Sequence, residues 1–294
     1  MDQNSRQKAF FFDIDGTILS EINHTIPESA KAAIGEAVRQ GHLVFINTGR
    51  TLCTIPAEVL QMEFNGFLCG CGTDIVYNGE HLFYRDVPEE EGRPFLKLIA
   101  RCNMDAVLEG RDSIYFQDHS SRFPAVTEIY GASAEKVDAR VGWSEAYPVF
   151  SKLIAFGDED SLDEEFCRES SRWFDVVCRG GQFYELVPKG HSKAKVIDYV
   201  LDRFGVRRED AWVFGDSSND LSMFEAVPNA VAMGHHDPVL EPYASYIAET
   251  VEEDGLCRAM VALGLIPELP LHESMSEDSG ECKMLVWSRE DDGR

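Results

Sequence analysis

Two acids separated by one residue open the chemistry of this chain. Asp13 and Asp15 stand in Phe11-Phe12-Asp13-Ile14-Asp15-Gly16-Thr17. The apolar run Ala9–Phe12 before them reads as a short, buried first strand of a parallel sheet. Alternation along an extended chain turns both carboxylates to one side and Ile14 into the packing. In open α/β sheets, ligands bind outside the carboxyl ends of the strands, where this pair falls. Carboxylates this close repel one another unless a cation sits between them, so the pair asks for a metal. Gly16 permits a sharp turn, and Thr17 offers a hydroxyl to cap the turn or to bond a phosphate.

Three further segments fall at strand ends or helix starts. In Asn47-Thr48-Gly49-Arg50 a hydroxyl lies beside a glycine amide at a strand-to-helix turn, suited to a phosphoryl oxygen, although such a Thr-Gly is also an ordinary helix cap. In Pro188-Lys189-Gly190-His191-Ser192-Lys193, Ser192 is the expected N-cap. Lys193 in the first helical turn opposes the helix dipole; it is either a solvated lysine or a cation placed to balance charge between Asp13 and a phosphate. Gly215-Asp216-Ser217-Ser218-Asn219-Asp220 supplies two acids that suit Mg²⁺, bound directly or through water. Its bland reading makes Asp216 or Asn219 a helix cap, with Asp220 favoured by the dipole.

The elements that must position these residues alternate at first. A strand at 8–14 leads to a helix from Pro27 to Gln40, a strand His42–Asn47, a helix Leu52–Met62, and strands Gly66–Cys69 and Asp74–Tyr77. Asn78-Gly79 marks a hairpin turn into His81–Arg85. The pattern then changes. A helix at 88–102, strands Ala106–Glu109 and Ser113–Gln117, a helix at about 120–140, a strand Lys152–Phe156, a helix Leu162–Trp173, and strands Val176–Cys178 and Phe183–Val187 describe a separate α+β unit. The α/β rhythm resumes with a helix Ser192–Phe204, a strand Ala211–Phe214, a helix from Asn219, a strand Ala230–Met233 and a helix Glu252–Leu263. The expected fold is α/β: a Rossmann-like parallel-sheet core of 1–82 and 188–270, an inserted α+β cap of 83–187, and an acidic tail, 271–294, without order.

Bulk composition narrows the function. The chain has 294 residues, 44% of them hydrophobic, enough for two domains with a sizeable core. No apolar stretch is long enough to span a bilayer. Met1–Lys8 is polar and lacks a signal-type apolar region, so a cytoplasmic location is expected. With 52 acidic against 27 basic residues, the net charge of −25 argues against nucleic-acid and membrane-surface partners. An anionic substrate must then be drawn in locally. The eight cysteines include no Cys-x-x-Cys pair, which favours reduced thiols over a zinc site. The adjacent His235 and His236 read as loop residues.

Taken in order, Asp13-Ile14-Asp15-Gly16-Thr17, Thr48-Gly49-Arg50, Lys193 and Gly215-Asp216-x-x-Asn219-Asp220 resemble the four motifs of the haloacid dehalogenase superfamily. The inserted unit resembles the cap of its Cof-like branch, and Ala232-Met233-Gly234, Tyr243-x-x-Tyr246 and Glu253-Asp254-Gly255 echo the same branch. The likeness covers about residues 8–265, with one departure: Cys71-Gly72 stands where that branch commonly has Asn-Gly. The resemblance implies a Mg²⁺-dependent phosphatase of small phosphomonoesters, such as sugar phosphates or phosphorylated cofactors. Asp13 would be the nucleophile that forms an aspartyl-phosphate, and Asp15 the general acid and base. Thr48 and Lys193 would hold phosphoryl oxygens, with Gly49 and Arg50 beside them and Asn219 as a positioning group. Mg²⁺ would be bound by Asp13, the backbone carbonyl of Asp15 and Asp216, with Asp220 as a further ligand. The cap would close as a lid, with Arg179, Gly180 and Gly181 as candidate substrate contacts. A phosphosugar mutase, and a catalytically idle sensor of a phosphorylated metabolite, are the alternative functions. Oligomeric state is not legible.

Overall fold

The computed structural model describes residues 6–116, 147–269, 272–274 and 284–286. In chain order the strands begin with β1 (Ala9–Phe12), β2 (Leu43–Asn47), β3 (Gly66–Cys69), β4 (Asp74–Tyr77) and β5 (Glu80–Tyr84). Then come β6 (Asp105–Glu109), β7 (Ile114–Phe116), β8 (Lys152–Phe156), β9 (Phe174–Gly180) and β10 (Phe183–Pro188). The last are β11 (Ala211–Gly215), β12 (Asn229–Ala232), β13 (Tyr246–Ile247), β14 (His272–Ser274) and β15 (Met284–Val286). The helices are α1 (Glu28–Arg39), α2 (Ala57–Leu60), α3 (Glu89–Arg101), α4 (Asp163–Ser170), α5 (Lys193–Phe204), α6 (Leu221–Ala226) and α7 (Gly255–Ala262). Packing groups them into two compact units, Met1–Ile46 with Met62–Asn65 and Ile197–Arg294, and Asn47–Gln61 with Gly66–Val196. The second unit thus takes in segments before residue 83 that the sequence reading assigns to the core.

The first unit is built on parallel strands in the order β13-β12-β11-β1-β2. Ala9–Phe12 is buried at every position, as a strand covered on both faces requires. Phe11 stacks on Phe45 at 5.7 Å and Phe12 on Phe214 at 4.6 Å, so the aromatic run fixes β1 between its two neighbours. Helix α1 buries Ala30, Ala33, Ile34 and Ala37 while Glu28 and Arg39 keep to its solvent-facing ends, a helical period that matches the sequence reading. Pro27 sits at its N-cap rather than inside its first turn.

In the second unit β3, β4 and β5 form antiparallel hairpins. Asn78 and Gly79 take the two left-handed turn positions, as their types predict. A separate antiparallel sheet runs in the order β7-β6-β8-β10-β9. One of its faces packs Leu108, Leu153 and Leu186 against Phe95 and Ile99 of α3 and Phe166 of α4. The opposite face carries Val107, Ile114, Phe116 and Ile154 against Cys53.

Several elements differ from their expected form. The helix expected over Leu52–Met62 is a 3-10 turn, Leu52–Thr54, followed by the four-residue α2. Pro56 is the cause: it holds the preceding Ile55 in extended backbone. The helix expected from Asn219 begins as a 3-10 turn over Ser218–Asp220. The one expected over Glu252–Leu263 breaks at Asp254, whose φ is 62°. Strand β13 was not anticipated, because two residues carry no period. The helix expected over 120–140 lies outside the described residues. Of the tail, β14 and β15 are described and pair antiparallel; the rest of 271–294 lies outside the described residues. No helix among the described residues is long and apolar enough to cross a membrane.

Candidate active site

In the first unit, three carboxylates from two strand ends meet. Asp13 leaves β1, and its N–H donates to Phe214 O at 3.0 Å, which continues the β1–β11 ladder into the loop. Asp216 leaves β11 one residue after Gly215, and Asp220 closes the 3-10 turn that follows. Oxygen atoms of Asp13, Asp216 and Asp220 all lie within 4.8 Å of one another, and all three residues are buried. Two unit charges 4 Å apart interact by about 4 kcal/mol at an effective dielectric of about 20. Three buried carboxylates at this spacing therefore oppose folding unless protons or a cation offset them. Hard oxygen donors gathered in this way fit Mg²⁺, which takes a few carboxylates and completes its shell with water and phosphate oxygens.

The cluster is fixed from several sides. The Thr17 hydroxyl donates to Asp216 Oδ1 at 2.9 Å, so it braces an acid instead of the phosphate the sequence reading offered it. Asp220 Oδ2 accepts from the backbone N–H of Asp216 at 2.9 Å and of Ser217 at 3.1 Å. The N-cap position belongs to Ser217, not to Asp216 or Asn219. Asn219 Oδ1 accepts from the Ser217 hydroxyl at 2.8 Å. Asp237 N–H holds Asp216 O at 2.7 Å. Gly16, at φ 74°, lies so near Asp216 that a β-carbon there would overlap its carboxylate. Asp15 is half-buried and is not one of the three convergent side chains, while Ile14 between the pair is buried as expected. His236 Nδ1 faces Met233 O at 2.6 Å.

The second unit brings together Thr48, Gly49, Arg50 and Lys193. Asn47 Nδ2 donates to Lys193 O at 3.0 Å, a buried bond from the end of β2 to the first residue of α5. Ser192 caps that helix, as expected, by accepting from Lys195 N–H at 3.2 Å. Thr48 and Lys193 are almost wholly buried, which removes the reading of Lys193 as a solvated lysine. Arg50 N–H donates to Thr48 Oγ1 at 3.1 Å, and Arg50 Nη1 to Thr54 O at 2.9 Å. Cys71, where Asn would be usual, has φ 56°, a conformation that Asn adopts more readily than Cys. Burial and the nearby Glu185 push its thiol up to about 12.

The candidate contacts in the insertion separate. Arg179 grips Glu185 through two nitrogens, Nε at 3.1 Å and Nη2 closer still. Gly180 and Gly181 form the β9–β10 turn, both at positive φ with open space around them. Sequence reasoning missed the partners of Arg179. Lys152 Nζ donates to Glu185 Oε1 at 2.6 Å and to Gly49 O at 2.8 Å, and lies 3.5 Å from Glu109 Oε2. Burial alone would lower the Lys152 pKa, but Glu109 and Glu185 outweigh it and raise it above the ordinary lysine value. The available signal was charge inside apolar strands: Glu109 ends Asp105–Glu109, Lys152 starts Lys152–Phe156, and Glu185 interrupts Phe183–Pro188.

The sequence profile of the haloacid dehalogenase-like hydrolases matches residues 10–260. The chain is 31% identical over 261 residues to YkrA, a candidate phosphatase of Bacillus subtilis (strain 168), covering 88% of this chain and 98% of that one. It is 27% identical over 259 residues to YitU of the same organism, a 5-amino-6-(5-phospho-D-ribitylamino)uracil phosphatase, covering 84% and 93%. Among solved structures, the subclass IIB sugar phosphatase BT4131 superposes with a TM-score of 0.75 at 26% identity, covering 88% of this chain and all of that one.

Proposed function

The chain belongs to the haloacid dehalogenase-like hydrolases and is a phosphoric monoester hydrolase, and from that premise we propose a Mg²⁺-dependent phosphatase of small phosphomonoesters that works through an aspartyl-phosphate on Asp13. The observation that carries this reading is the meeting of Asp13, Asp216 and Asp220 within 4.8 Å in a buried setting. Mg²⁺ would be held by Asp13, Asp216 and the backbone carbonyl of Asp15, with Asp220 as a further ligand. When bound, it would offset the repulsion between a carboxylate nucleophile and an anionic ester.

The chain's own residues then do the following. An Asp13 carboxylate oxygen attacks phosphorus as the bond from phosphorus to the ester oxygen breaks, giving the acyl phosphate and an alcohol. Asp15 gives its proton to the departing oxygen and afterwards takes one from the water that hydrolyses the aspartyl-phosphate, regenerating Asp13. Half-burial suits Asp15 to this exchange, because it must meet both solvent and substrate. Thr48 and Lys193 hold the phosphoryl oxygens, beside Gly49 and Arg50, as donors to the charge that develops on them. Asn219 positions the loop of Asp216. Sugar phosphates and phosphorylated cofactor precursors are the proposed substrates, supported by the sugar and ribitylaminouracil phosphatases among its relatives. The free thiols of the described cysteines support action in a reducing cytoplasm.

The test is hydrolysis of p-nitrophenyl phosphate. Turnover is expected with Mg²⁺, is lost on chelation and regained on adding Mg²⁺ back, and is lost in Asp13→Asn. A variant as active as the wild type would end the covalent mechanism. A panel of phosphorylated metabolites, scored for released phosphate, then identifies the ester.

A further inference from the structure

We propose that Lys152 is a positioning residue for phosphoryl recognition: it orients the Thr48 hydroxyl through the single peptide group that joins Gly49 to Arg50. The proposal deepens the phosphatase reading and rests on its assignment of Thr48 to a phosphoryl oxygen.

Lys152 opens β8 opposite Glu109 of β6, on the sheet face turned away from α3 and α4. Glu185 of β10 lies diagonally across on the same face, since it pairs with Ile154. Arg179 closes the group from β9. Two cations and two carboxylates thus balance in charge, and Lys152 is only 4% exposed. A buried lysine kept in such a group brings no net charge to a substrate. What it brings is a donor fixed in direction, and one of its hydrogen bonds leaves the group for Gly49 O, 2.8 Å away.

A trans peptide is planar, and its C=O and N–H point in opposite directions. Fixing Gly49 O therefore fixes the N–H of Arg50. That N–H donates to Thr48 Oγ1 at 3.1 Å. A hydroxyl has one proton and two lone pairs. With a lone pair committed to Arg50, the orientation of the remaining O–H is set for an acceptor. The rest of the loop is tied down separately: Thr48 N–H to Leu68 O at 2.9 Å, Cys71 N–H to Thr48 O at 3.0 Å, and Gly70 N–H to Arg50 O at 2.8 Å. These bonds fix where the loop runs. Lys152 sets the tilt of the Gly49–Arg50 peptide within it. Glycine at 49 makes the bond from Lys152 necessary, since no side chain restrains that peptide.

The test is a double-mutant cycle in the full chain, read as kcat/KM and as inhibition by inorganic phosphate. Lys152→Met/Glu109→Gln removes one cation with one of its carboxylate partners and leaves the Arg179–Glu185 pair whole, which guards against misfolding from an unpaired buried charge; circular dichroism and a cooperative melt confirm the fold. Lys152→Met alone serves as the second variant. Either should lower kcat/KM by about 10- to 100-fold, the scale of a small misplacement of a catalytic contact, and should weaken phosphate inhibition in parallel. In a Thr48→Val background the same changes should cost less than about threefold, because residues acting as one unit are not additive. The loss should also be equal for p-nitrophenyl phosphate and for an alkyl phosphate. Losses that multiply with Thr48→Val, or that fall on one ester alone, overturn the proposal and leave the phosphatase reading standing. An inactive wild type would overturn both.

Discussion

Gly16→Ala is the sharpest perturbation of the carboxylate cluster. Built on the native backbone, the new β-carbon lies 2.5 Å from Asp216 Cγ and 2.9 Å from Oδ1, with Oδ2 nearer still. Ordinary contact requires about 3.5 Å, so the carboxylate or the turn must give by about 1 Å. The backbone of Asp216 cannot follow freely. Its N–H is bound to Asp220 Oδ2 at 2.9 Å and its carbonyl to Asp237 N–H at 2.7 Å. The side chain must therefore rotate away from its bond with Thr17 and out of register with Asp13 and Asp220. A misplacement of about 1 Å costs about 100-fold in rate, and Mg²⁺ half-saturation should rise by at least about tenfold as a ligand is lost from its place. Alanine in a left-handed conformation adds a stability cost of about 1–2 kcal/mol. Gly41→Ala separates the two effects. Gly41 has φ 80° and nothing within 4 Å of the added carbon, so it should lose the same stability and keep the wild-type kinetics. The assay is p-nitrophenyl phosphate hydrolysis across a Mg²⁺ titration, with urea melts of both variants. If Gly16→Ala kept kcat/KM and Mg²⁺ half-saturation within about threefold of wild type, the overlap would not govern the site.

Two more outcomes follow from the buried group in the second unit and from the thiols. Burial pushes the Glu185 carboxyl up, but Lys152 and Arg179 outweigh it and bring it down to about 2 from an ordinary 4.5. A depressed carboxyl stabilises the fold above its ordinary value and loses that contribution as pH falls towards its folded value, here from about 4.5 to about 2, on the order of 3 kcal/mol in all. The stability gap between wild type and Glu185→Gln in urea melts should therefore narrow between pH 5 and pH 3; a gap constant over that range refutes the coupling. Among the described cysteines Cys178 is exposed, whereas Cys69 and Cys71 are buried with thiols held well above their ordinary value. Iodoacetamide followed by peptide mapping should label Cys178 early and Cys69 and Cys71 only after unfolding, and early labelling of Cys71 would contradict its burial.

The parts of the fold legible in the sequence were those with a long period or a distinctive turn. Ala9–Phe12, Leu43–Asn47 and the Asn78-Gly79 hairpin fell where composition placed them, because a doubly covered strand needs unbroken apolar residues and a tight hairpin needs two left-handed positions. Helix α2 was misjudged because Pro56 outweighs the apolar run around it. At the site, acids at strand ends were legible because few structural roles explain Asp13, Asp216 and Asp220 together. Thr17, read as capping the turn or bonding a phosphate, donates instead to Asp216, a partner 199 residues away that only the fold brings near. Lys152, Glu109 and Glu185 were missed for a different reason: three charges on three strands form one group only once the sheet register is known.

That register also answers a question set by the composition. A chain of net charge −25 has to admit an anion, and among the described residues two lysines are buried, Lys152 and Lys193. Their surroundings divide the work between them. Lys152 is matched by Glu109 and Glu185 at 3.5 Å and 2.6 Å, so its field is cancelled within the sheet face and it acts over hydrogen-bond distance, on Gly49 O. Lys193 begins a helix, where backbone N–H groups already favour negative charge and a lysine adds to that field instead of balancing it. Position thus separates the two: Lys193 adds positive charge at a helix start, which suits the phosphoryl contact proposed for it, while Lys152, paired within the sheet face, acts on the loop beside it.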